Sequence, residues 1–240
     1  MSQAETRNFT LRETVLGDHV IRTVNYFFRD SNASNARLAS TIAPAYLKEY
    51  GKDEFVLADI GCSRAEDTWS TAAAFAVNGV KARITALDIN TEVLACVDRP
   101  YHSTFADLEA DLYEWNLPRE CLDLFEEVDE YHIRPGPELR GMVTFGVHDI
   151  REQPLPPGFD GAIVNSFFFY YLRQPYRRHL APIIGNIAAG LTPGGLVVAG
   201  GYGPVPVCAF LDAGFEVAED WNPQPSTPNF FIYQPAQVAK

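Results

Sequence analysis

The chain has 240 residues, of which 47% are hydrophobic, and carries a formal net charge of −12. Its length and apolar fraction suffice for one large domain with a full core. The acidic balance, without a dense basic patch, argues against DNA or tRNA as a substrate. No apolar run reaches the roughly 20 residues of a membrane span, so no membrane partner is expected.

The N-terminus lacks the basic and then apolar profile of a secretory signal, so a cytoplasmic location is expected. The four cysteines, Cys62, Cys96, Cys121 and Cys208, do not have the paired spacing of a metal or redox motif. They are interpreted as reduced thiols, and no metal site is expected. The sequence leaves the oligomeric state open between a monomer and a homodimer.

Residues 1–50 are predicted to form an N-terminal helical cap, and residues 51–240 a single catalytic domain. Helical spacing of apolar residues predicts helices in the cap over 11–17, 18–29 and 36–50. Pro44 interrupts the last of these three patterns, since proline in a helix interior removes a hydrogen bond.

From residue 55 onward, apolar runs alternate with helical patterns, as in a parallel sheet flanked by helices. The predicted strands span 55–60, 82–87, 142–147, 160–165 and 195–200. The predicted helices span 65–78, 90–96, 174–191 and 205–213. The fold class is therefore α/β, with a Rossmann-like sheet.

Two parts of the chain depart from this simple alternation. Runs at 214–218 and 229–233 are expected to pair as an antiparallel end of the sheet. Residues 98–141 are acidic and aromatic, and are expected to form helices plus a short loop or hairpin over the sheet edge. The sheet is thus mostly parallel, with an antiparallel last strand.

Ligands of such sheets bind beyond the carboxyl ends of the strands. The first predicted strand ends at Asp59-Ile60-Gly61, where Gly61 allows a close turn and Ser63 offers hydrogen bonds. The second strand ends in Asp88, whose carboxylate can accept from both ribose hydroxyls. This layout predicts a nucleoside site. The alternative for Asp88 is an N-cap of the helix that follows Asn90.

Two further strand ends are expected to meet there. His148-Asp149-Ile150 follows the third strand, where Asp149 can accept from the exocyclic amine of adenine while Ile150 packs on the ring. A cap or turn is the alternative. The fourth strand ends in Asn165, followed by five aromatic residues at 167–171. Because five in a row cannot all face the core, some are expected to line the pocket.

The turn after the first strand distinguishes two classes of nucleoside cofactor. A pyrophosphate site needs glycines in the pattern GxGxxG, whereas Gly61 is followed here by Ser63 and Ala65. Glu66 and Asp67 then begin the predicted helix. Two carboxylates would repel a pyrophosphate and attract an ammonium or a sulfonium. S-adenosylmethionine has both cations and no phosphate, so it is the expected cofactor.

The ordered set of motifs resembles that of CheR-type chemotaxis receptor glutamate methyltransferases. The matching phrases are Tyr26-Phe-Phe-Arg29, Gly61-Cys-Ser-Arg-Ala-Glu-Asp-Thr-Trp-Ser70, Ala86-Leu-Asp-Ile-Asn90, His148-Asp-Ile150, Asn165-Ser-Phe-Phe-Phe-Tyr170 and Leu191-Thr-Pro-Gly-Gly195. The resemblance covers roughly residues 23–201. It implies a class I methyltransferase sheet that uses S-adenosylmethionine as methyl donor or as substrate.

The resemblance also implies roles for the matched positions. Arg29 would reach the methionine carboxylate or the acceptor, and Glu66 and Asn165 would lie at the methionine end. The implied cofactor-binding residues are Arg29, Gly61, Cys62, Ser63, Glu66, Asp88, Ile89, Asp149, Ile150 and Asn165. The predicted catalytic residues are Arg29, Asn165, Tyr170 and Tyr26. Independently of the resemblance, aromatic residues such as Phe167, Tyr170, Tyr171 and Tyr26 could stabilise the sulfonium through cation–π contacts.

Departures from the family pattern bear on the substrate. Asn25 stands where the family has Thr, Ala65 replaces Gly, and Val164 replaces Arg. The segment 131–137 is shorter than the receptor-docking β-subdomain of the chemotaxis enzymes. A freestanding methyltransferase of secondary metabolism is therefore expected, acting on a small molecule with a carboxylate or amine acceptor.

Two alternatives stay open. In the first, the α-amine of S-adenosylmethionine attacks its own γ-carbon and gives azetidine-2-carboxylic acid and methylthioadenosine. In the second, the chain binds S-adenosylmethionine without catalysis. For transfer to an amine, His148, His179 or a tyrosine would accept the proton. A carboxylate acceptor needs no base, and Arg29 would orient it.

Overall fold

The computed structural model describes residues 13–16, 19–22, 32–114, 118–165, 167–171, 176–199, 207–217 and 229–233. The strands are β1 (Glu13–Leu16), β2 (His19–Arg22), β3 (Phe55–Ile60), β4 (Ala82–Asp88), β5 (Tyr101–His102), β6 (Phe125–Asp129), β7 (His132–Pro135), β8 (Val143–Val147), β9 (Phe159–Ile163), β10 (Leu191–Ala199), β11 (Phe215–Val217) and β12 (Asn229–Tyr233). The α-helices are α1 (Asn32–Arg37), α2 (Ala43–Tyr50), α3 (Glu66–Val77), α4 (Thr91–Leu94), α5 (Phe105–Glu114), α6 (Pro137–Met142), α7 (Phe168–Tyr171), α8 (Leu180–Gly190) and α9 (Val207–Asp212). Across these ranges, none of the helices has the length and apolar character needed to cross a lipid bilayer.

The N-terminal part begins with strands where helices were predicted. β1 and β2 pair in antiparallel register, so the helices predicted over 11–17 and 18–29 are wrong at these positions. The β-branched residues Thr14, Val15, Val20 and Ile21 favour strands over helices. Helical structure starts with α1, followed by a π-helical turn over Leu38–Ile42 and then α2.

The interruption expected at Pro44 lies at the start of a helix. Pro44 stands in the first turn of α2, where a missing backbone N–H costs no intrahelical hydrogen bond. The π-helical turn before it accommodates the change of helix type. A proline that looks like a break in the sequence therefore marks the first turn of α2.

The central sheet has seven strands in the order β11-β12-β10-β9-β3-β4-β8. The five strands from β10 to β8 pair in parallel. β12 pairs in antiparallel register with both β10 and β11. The predicted Rossmann-like sheet with an antiparallel end is thus confirmed, and β3 is the middle strand of its five parallel strands.

One strand begins earlier than predicted. β10 starts at Leu191, and its pairing with β9 shifts register between Leu191 and Leu196. Within this segment Pro193 lacks a backbone N–H and Gly194 has a left-handed φ of 75°. Both features are typical of a β-bulge. Pro193 and Gly194, which lie before the strand predicted over 195–200, are therefore an irregularity inside the observed strand.

The segment 98–141 forms an appended unit with helices and a hairpin, as expected. β5, β7 and β6 make a separate antiparallel sheet in that order, with strands of two, four and five residues. α5 and a 3₁₀ turn over Arg119–Leu124 precede the hairpin of β6 and β7. The segment 131–137, which is shorter than the receptor-docking β-subdomain of the chemotaxis enzymes, thus contributes β7 to a small three-stranded sheet.

Apolar side chains lie on both faces of the central sheet. Along β3, Phe55 and Leu57 join one buried cluster, whereas Ala58 and Ile60 join another. This alternation follows from the two-residue period of a strand. α3 packs into the first cluster and α8 into the second. The result is a sheet between two helical layers.

A buried acid fixes α2 to the amino edge of the sheet. Asp160 of β9 is fully buried and accepts from Tyr46 Oη at 3.1 Å and from Val56 N at 3.0 Å. Lys52 forms an ion pair with the same carboxylate. Because the carboxyl ends of the strands lie at the opposite edge, this network is remote from the predicted ligand site.

Candidate functional site

The turn between β3 and α3 contains three residues with left-handed backbone. Their φ angles are 75° at Gly61, 54° at Ser63 and 71° at Ala65. Glycine adopts this region freely, whereas other residues pay roughly 1–2 kcal/mol each. Ala65 is also the N-cap of α3 and makes no side-chain capping bond. The turn is therefore a strained element that its surroundings must hold in place.

Backbone hydrogen bonds attach this turn to the sheet. The N–H groups of Gly61 and Cys62 both donate to Leu87 O, at 2.7 and 3.1 Å. Gly61 is also covered by an aromatic ring, since Phe167 Cδ2 lies 2.8 Å from where a Cβ would stand. A side chain at position 61 would need both a left-handed backbone and displacement of that ring.

Asp88 lies beside the turn at the end of β4. Its Oδ2 accepts from Ser63 N and its Oδ1 from Asn90 N, each at 2.8 Å. The N-cap of α4 is Asn90, whose side chain accepts from Glu92 N at 2.9 Å, so the capping role considered for Asp88 is wrong. Burial raises the pKa of Asp88, although the N–H donors oppose this shift.

Two further carboxyls are buried next to the turn. Glu66 begins α3 and Asp59 is the penultimate residue of β3, and each is only 4% exposed. Burial raises the pKa of each to about 7. Thr68 Oγ1 donates to Asp59 Oδ2 at 2.5 Å, and Arg64 Nε lies 3.8 Å from Glu66 Oε1.

Asp59 was not among the predicted site residues. Its pKa is raised by burial and, despite the Thr68 hydrogen bond, further by the neighbouring carboxylates of Asp67 and Asp88. The signal for it was present in the sequence, since an acid stands inside an apolar strand two residues before Gly61. A buried acid in such a strand is unusual unless it is paired or functional.

Asp149 follows β8 and is held by its neighbour. Arg151 Nε donates to Oδ1 at 2.8 Å, its terminal nitrogen to Oδ2 at 2.6 Å, and its backbone N to Oδ1 at 3.0 Å. Although burial raises the pKa of Asp149, these bonds hold it below the ordinary value. Oδ1 thus already accepts two hydrogen bonds, whereas Oδ2 accepts one and retains a lone pair for a further donor. The predicted adenine acceptor is thus also a turn residue.

The residues after β9 divide between core and site. Phe168 is buried in the second core cluster, which also contains Ile150 from the turn after β8, and Phe168 packs edge-on against Phe210. Phe167 lies over the turn, with Tyr171 4.9 Å away, centroid to centroid. Phe168 thus faces the core and Phe167 faces the turn, while the expectation that some of the rings line the ligand pocket stays a prediction.

Tyr171 is one of the aromatic residues expected to stabilise the sulfonium, and the structure places it near two of the predicted acids. Burial raises its pKa to about 12, opposed by the Arg151 cation and assisted by the carboxylates of Asp149 and Asp88. It therefore lies within electrostatic reach of the predicted adenine and ribose acids. Phe167 lies just before the short helix α7 and Tyr171 ends it, so their four-residue spacing is consistent with the contact between the two rings.

Asn165 joins the turn through a polar contact. Its Nδ2 donates to Asp67 Oδ2 at 3.4 Å, linking the end of β9 to the first turn of α3. Asn165 Oδ1 and Ser63 Oγ are buried and accept or donate no hydrogen bond within the described residues. Both atoms are therefore available to a ligand.

Some predicted residues lie outside this description. Tyr26, Arg29 and the side chain of Tyr170 fall outside the described residues, and their roles stay predictions. Cys62 is buried, and burial keeps the pKa of its thiol well above the ordinary value, so the thiol is protonated at neutral pH. Ile89 lies between Asp88 and Asn90 at the same end of β4.

The arrangement fits S-adenosylmethionine. Acidic side chains surround the turn, which suits the cationic sulfonium and ammonium and disfavours a phosphate. They are Asp59, Glu66, Asp67 and Asp88. The buried Ser63 Oγ and Asn165 Oδ1 offer hydrogen bonds at the same place. Within the described ranges, no cluster of three or more His, Cys, Asp or Glu residues could hold a metal ion.

Comparison with known proteins gives one family and several similar structures. The family described as "CheR methyltransferase, SAM binding domain" matches residues 23–206. No curated protein matches the chain significantly in sequence. Solved structures include N-methyltransferase NodS from Bradyrhizobium japonicum WM9, with 14% identity over 86% of this chain and 96% of that chain and a TM-score of 0.47.

Two other solved structures have similar values. A SAM-dependent methyltransferase from Methanosarcina mazei shares 15% identity over 80% of this chain and 95% of its own, with a TM-score of 0.44. An amino pentose methyltransferase from Micromonospora echinaspora, involved in calicheamicin biosynthesis, shares 14% identity over 88% of this chain and 99% of its own, with a TM-score of 0.48.

The family match spans most of the chain and includes every described residue of the site. It runs from before the turn at 61–66 to beyond Asn165. The chain therefore belongs to the CheR methyltransferase family, and its cofactor is S-adenosylmethionine.

Proposed function

We propose that the protein is a small-molecule methyltransferase whose acceptor is an amine. The observation that carries this proposal is the pair of buried carboxyls, Asp59 and Glu66, beside the cofactor turn. Burial raises the pKa of each to about 7, where a group can both accept and release a proton near neutral pH. An amine must be unprotonated to attack, so a base of this strength suits it.

Charge favours an amine over a carboxylate acceptor. Asp59, Glu66, Asp67 and Asp88 place negative charge around the turn, and this charge attracts an ammonium and repels a further carboxylate. The sequence left both acceptors open. The charges of the described residues support the amine.

The enclosure of the site supports a small acceptor. Asp59, Glu66 and Asp88 are all at most 7% exposed, and Phe167 lies over the turn that joins them. A compact molecule reaches such carboxyls more readily than a residue on a folded protein surface does. We therefore assign the enzyme to small-molecule biosynthesis.

Different residues of the site would bind different parts of S-adenosylmethionine. Asp88 would accept from the ribose hydroxyls, and Asp149 with Ile150 would hold the adenine. Glu66 and Asn165 would hold the methionine end. Bound in this way, S-adenosylmethionine supplies a methyl group that its sulfonium already activates. The protein then mainly positions the nucleophile and removes one proton from it.

A second candidate function is the cyclase reaction, which would use the same carboxyls as proton acceptors. In the cyclase reaction, Glu66 or Asp59 would take a proton from the α-ammonium of S-adenosylmethionine. The nitrogen would form a bond to the γ-carbon while the carbon–sulfur bond breaks, and sulfur would leave in methylthioadenosine. The placement of Glu66 at the start of α3, in the matched methionine-end position, favours this candidate specifically.

Product analysis tests the proposal. The protein is incubated with S-adenosylmethionine alone and with a panel of small amines, and products are identified by mass spectrometry. S-adenosylhomocysteine formed only in the presence of an amine would support methyl transfer. Methylthioadenosine and azetidine-2-carboxylic acid formed without an amine would identify the cyclase. Binding measured by calorimetry without either product would identify a non-catalytic binding protein.

A matched pair of variants tests the base. Glu66→Gln is expected to lower kcat by about 100-fold or more, the usual size of a general-base contribution. Glu92→Gln, on the exposed side of α4, serves as the control and should retain wild-type kcat. Unchanged turnover in both Glu66→Gln and Asp59→Asn would exclude these carboxyls as bases.

A further inference from the structure

Tyr101 belongs to the appended three-stranded sheet, yet its hydroxyl reaches the cofactor turn. The side chain is 2% exposed, and Oη donates to Arg64 O at 2.5 Å. The same oxygen accepts from Trp69 Nε1 at 2.8 Å. Val97 O lies farther away, at 3.3 Å. A phenol has one hydrogen to donate, and the shorter distance assigns it to Arg64.

The carbonyl that accepts from Tyr101 belongs to Arg64, in the middle of the left-handed part of the turn. Arg64 lies between Ser63 and Ala65, the two non-glycine residues with left-handed backbone. The peptide unit from Arg64 to Ala65 is planar, so its C=O and N–H move together. Its N–H donates to Cys62 O at 2.8 Å, and its C=O accepts from Tyr101. This one peptide unit is therefore held at both ends.

The orientation of that unit affects the site directly. It sets the φ of Ala65, the N-cap from which α3 starts with Glu66 and Asp67. The Arg64 guanidinium lies over the Tyr101 ring, 5.3 Å from its centroid, and its Nε is 3.8 Å from Glu66 Oε1. A rotation of the peptide would change the position of Arg64 and of the carboxyls at the start of α3 together.

We propose that Tyr101 is a positioning residue for the S-adenosylmethionine turn, and that the appended sheet thereby sets the geometry of the cofactor site. Strained backbone persists only where neighbouring structure fixes it. Burial of Tyr101 also raises its pKa, so the hydroxyl remains a donor at working pH. The inference rests on cofactor binding and is independent of which acceptor the enzyme uses.

Two variants separate positioning from ordinary packing. Tyr101→Phe removes the hydroxyl and leaves the ring. Trp69→Phe removes the other partner of the same hydroxyl and leaves the bond to Arg64 intact. Both variants lose buried hydrogen bonding in the same core cluster, so both are expected to lower Tm. A purely structural role predicts that affinity falls in both or in neither.

The measurement is the Kd for S-adenosylmethionine by calorimetry, together with Tm. Tyr101→Phe is expected to raise Kd by about tenfold, the equivalent of one hydrogen bond. Trp69→Phe is expected to change Kd less than twofold. The proposal is supported if Tyr101→Phe raises Kd by a factor at least five times that of Trp69→Phe. Any smaller ratio between the two factors overturns it.

A double variant provides a readout that packing alone would not move. Glycine at position 65 adopts the left-handed region without strain, so the turn would depend less on Tyr101. Tyr101→Phe combined with Ala65→Gly is therefore expected to bind more tightly than Tyr101→Phe alone. Equal or weaker binding would contradict the proposal. Because binding is measured, a failure here is distinct from a failure to find an amine acceptor.

Discussion

The backbone N–H of Ser63 donates to Asp88 Oδ2 at 2.8 Å, joining the turn after β3 to the acid that ends β4. Asp88 Oδ1 accepts from Asn90 N at the same distance. The carboxylate is therefore fixed in orientation by two backbone donors before any ligand binds. Asp88 stabilises the turn and at the same time presents its remaining lone pairs at the site.

Replacement of Asp88 should abolish cofactor binding. Asp88→Ala removes both the ribose acceptor and the partner of Ser63 N, so Kd for S-adenosylmethionine is expected to rise by about 100-fold or more. Calorimetry measures this change. Glu92→Gln, on the exposed side of the adjacent helix, is the control. Micromolar affinity retained in Asp88→Ala would show that the site assignment is wrong.

Stability and affinity should respond to pH in opposite directions. The pKa values of Asp59 and Glu66 are raised by burial to about 7, whereas unfolded carboxyls titrate near 4. Between about pH 4 and 7 the native state binds more protons than the unfolded state, so native stability falls as pH rises. Thermal unfolding of the ligand-free protein measures this loss.

Cofactor affinity should rise over the same range. The cations of S-adenosylmethionine favour the ionised forms of Asp59 and Glu66, so binding releases protons and tightens through about pH 7. Calorimetry in buffers of different ionisation enthalpy counts the released protons. Glu66→Gln should bind more weakly and release fewer protons. An affinity that stays constant between pH 6 and 8 would contradict the assignment.

The two hydrogen bonds from the Arg151 guanidinium to Asp149, called here the Arg151 fork, should be needed for adenine binding. Arg151→Ala frees the Asp149 carboxylate to rotate, so Kd for S-adenosylhomocysteine is expected to rise by about tenfold. Arg134→Ala is a matched control, because Arg134 Nε pairs with Glu126 at 2.6 Å on the appended hairpin. Equal effects of the two variants on Kd would indicate that the fork has no role in the site.

Asp149 should also make the site selective for adenine over hypoxanthine. An ionised Asp149 only accepts hydrogen bonds, so it should bind the 6-amino group of adenine and reject the 6-oxo group of hypoxanthine. Asp149→Asn can turn its amide and donate instead. The ratio of Kd values for S-inosylhomocysteine and S-adenosylhomocysteine is therefore expected to fall in Asp149→Asn. An unchanged ratio would place the adenine elsewhere.

Stability at the opposite sheet edge should be separable from binding. Lys52→Ala removes the cation paired with the fully buried Asp160, which should lower the free energy of unfolding by about 1–3 kcal/mol. Lys81→Ala is the control, since Lys81 is 67% exposed and its pair with Glu54 should contribute little. Chemical denaturation measures both. Kd for S-adenosylmethionine should not change in either variant.

Strong local patterns made much of the fold and site predictable. The apolar run from Phe55 to Ile60, followed by Gly61 and by a second run ending in Asp88, predicted a strand, a turn and a second strand that the structure confirms. Each signal lay within a few residues of the feature that it described. The meeting of these strand ends followed from the parallel order alone.

Other features depended on contacts distant in sequence or on competing local preferences. The hydroxyl of Tyr101 meets Arg64 across 37 residues, and no pattern near either residue indicates that bond. The strands at 13–16 and 19–22 were missed because weak helical spacing and β-branched residues pointed in different directions. Arg151 was not predicted to take part in the site, because only the turn at Asp149 brings its guanidinium onto that carboxylate.

The place of β3 in the sheet has a consequence for the folding of a newly made chain. β3 pairs on one side with β9, and the bonded residues Val56 and Asp160 are 104 positions apart. Until the ribosome has released residues 159–163, one edge of β3 has no partner, and parallel pairing over such a distance is slow. An unpaired apolar edge invites association with other chains. The strand that leads into the cofactor turn is thus exposed to aggregation during synthesis until β9 has been made.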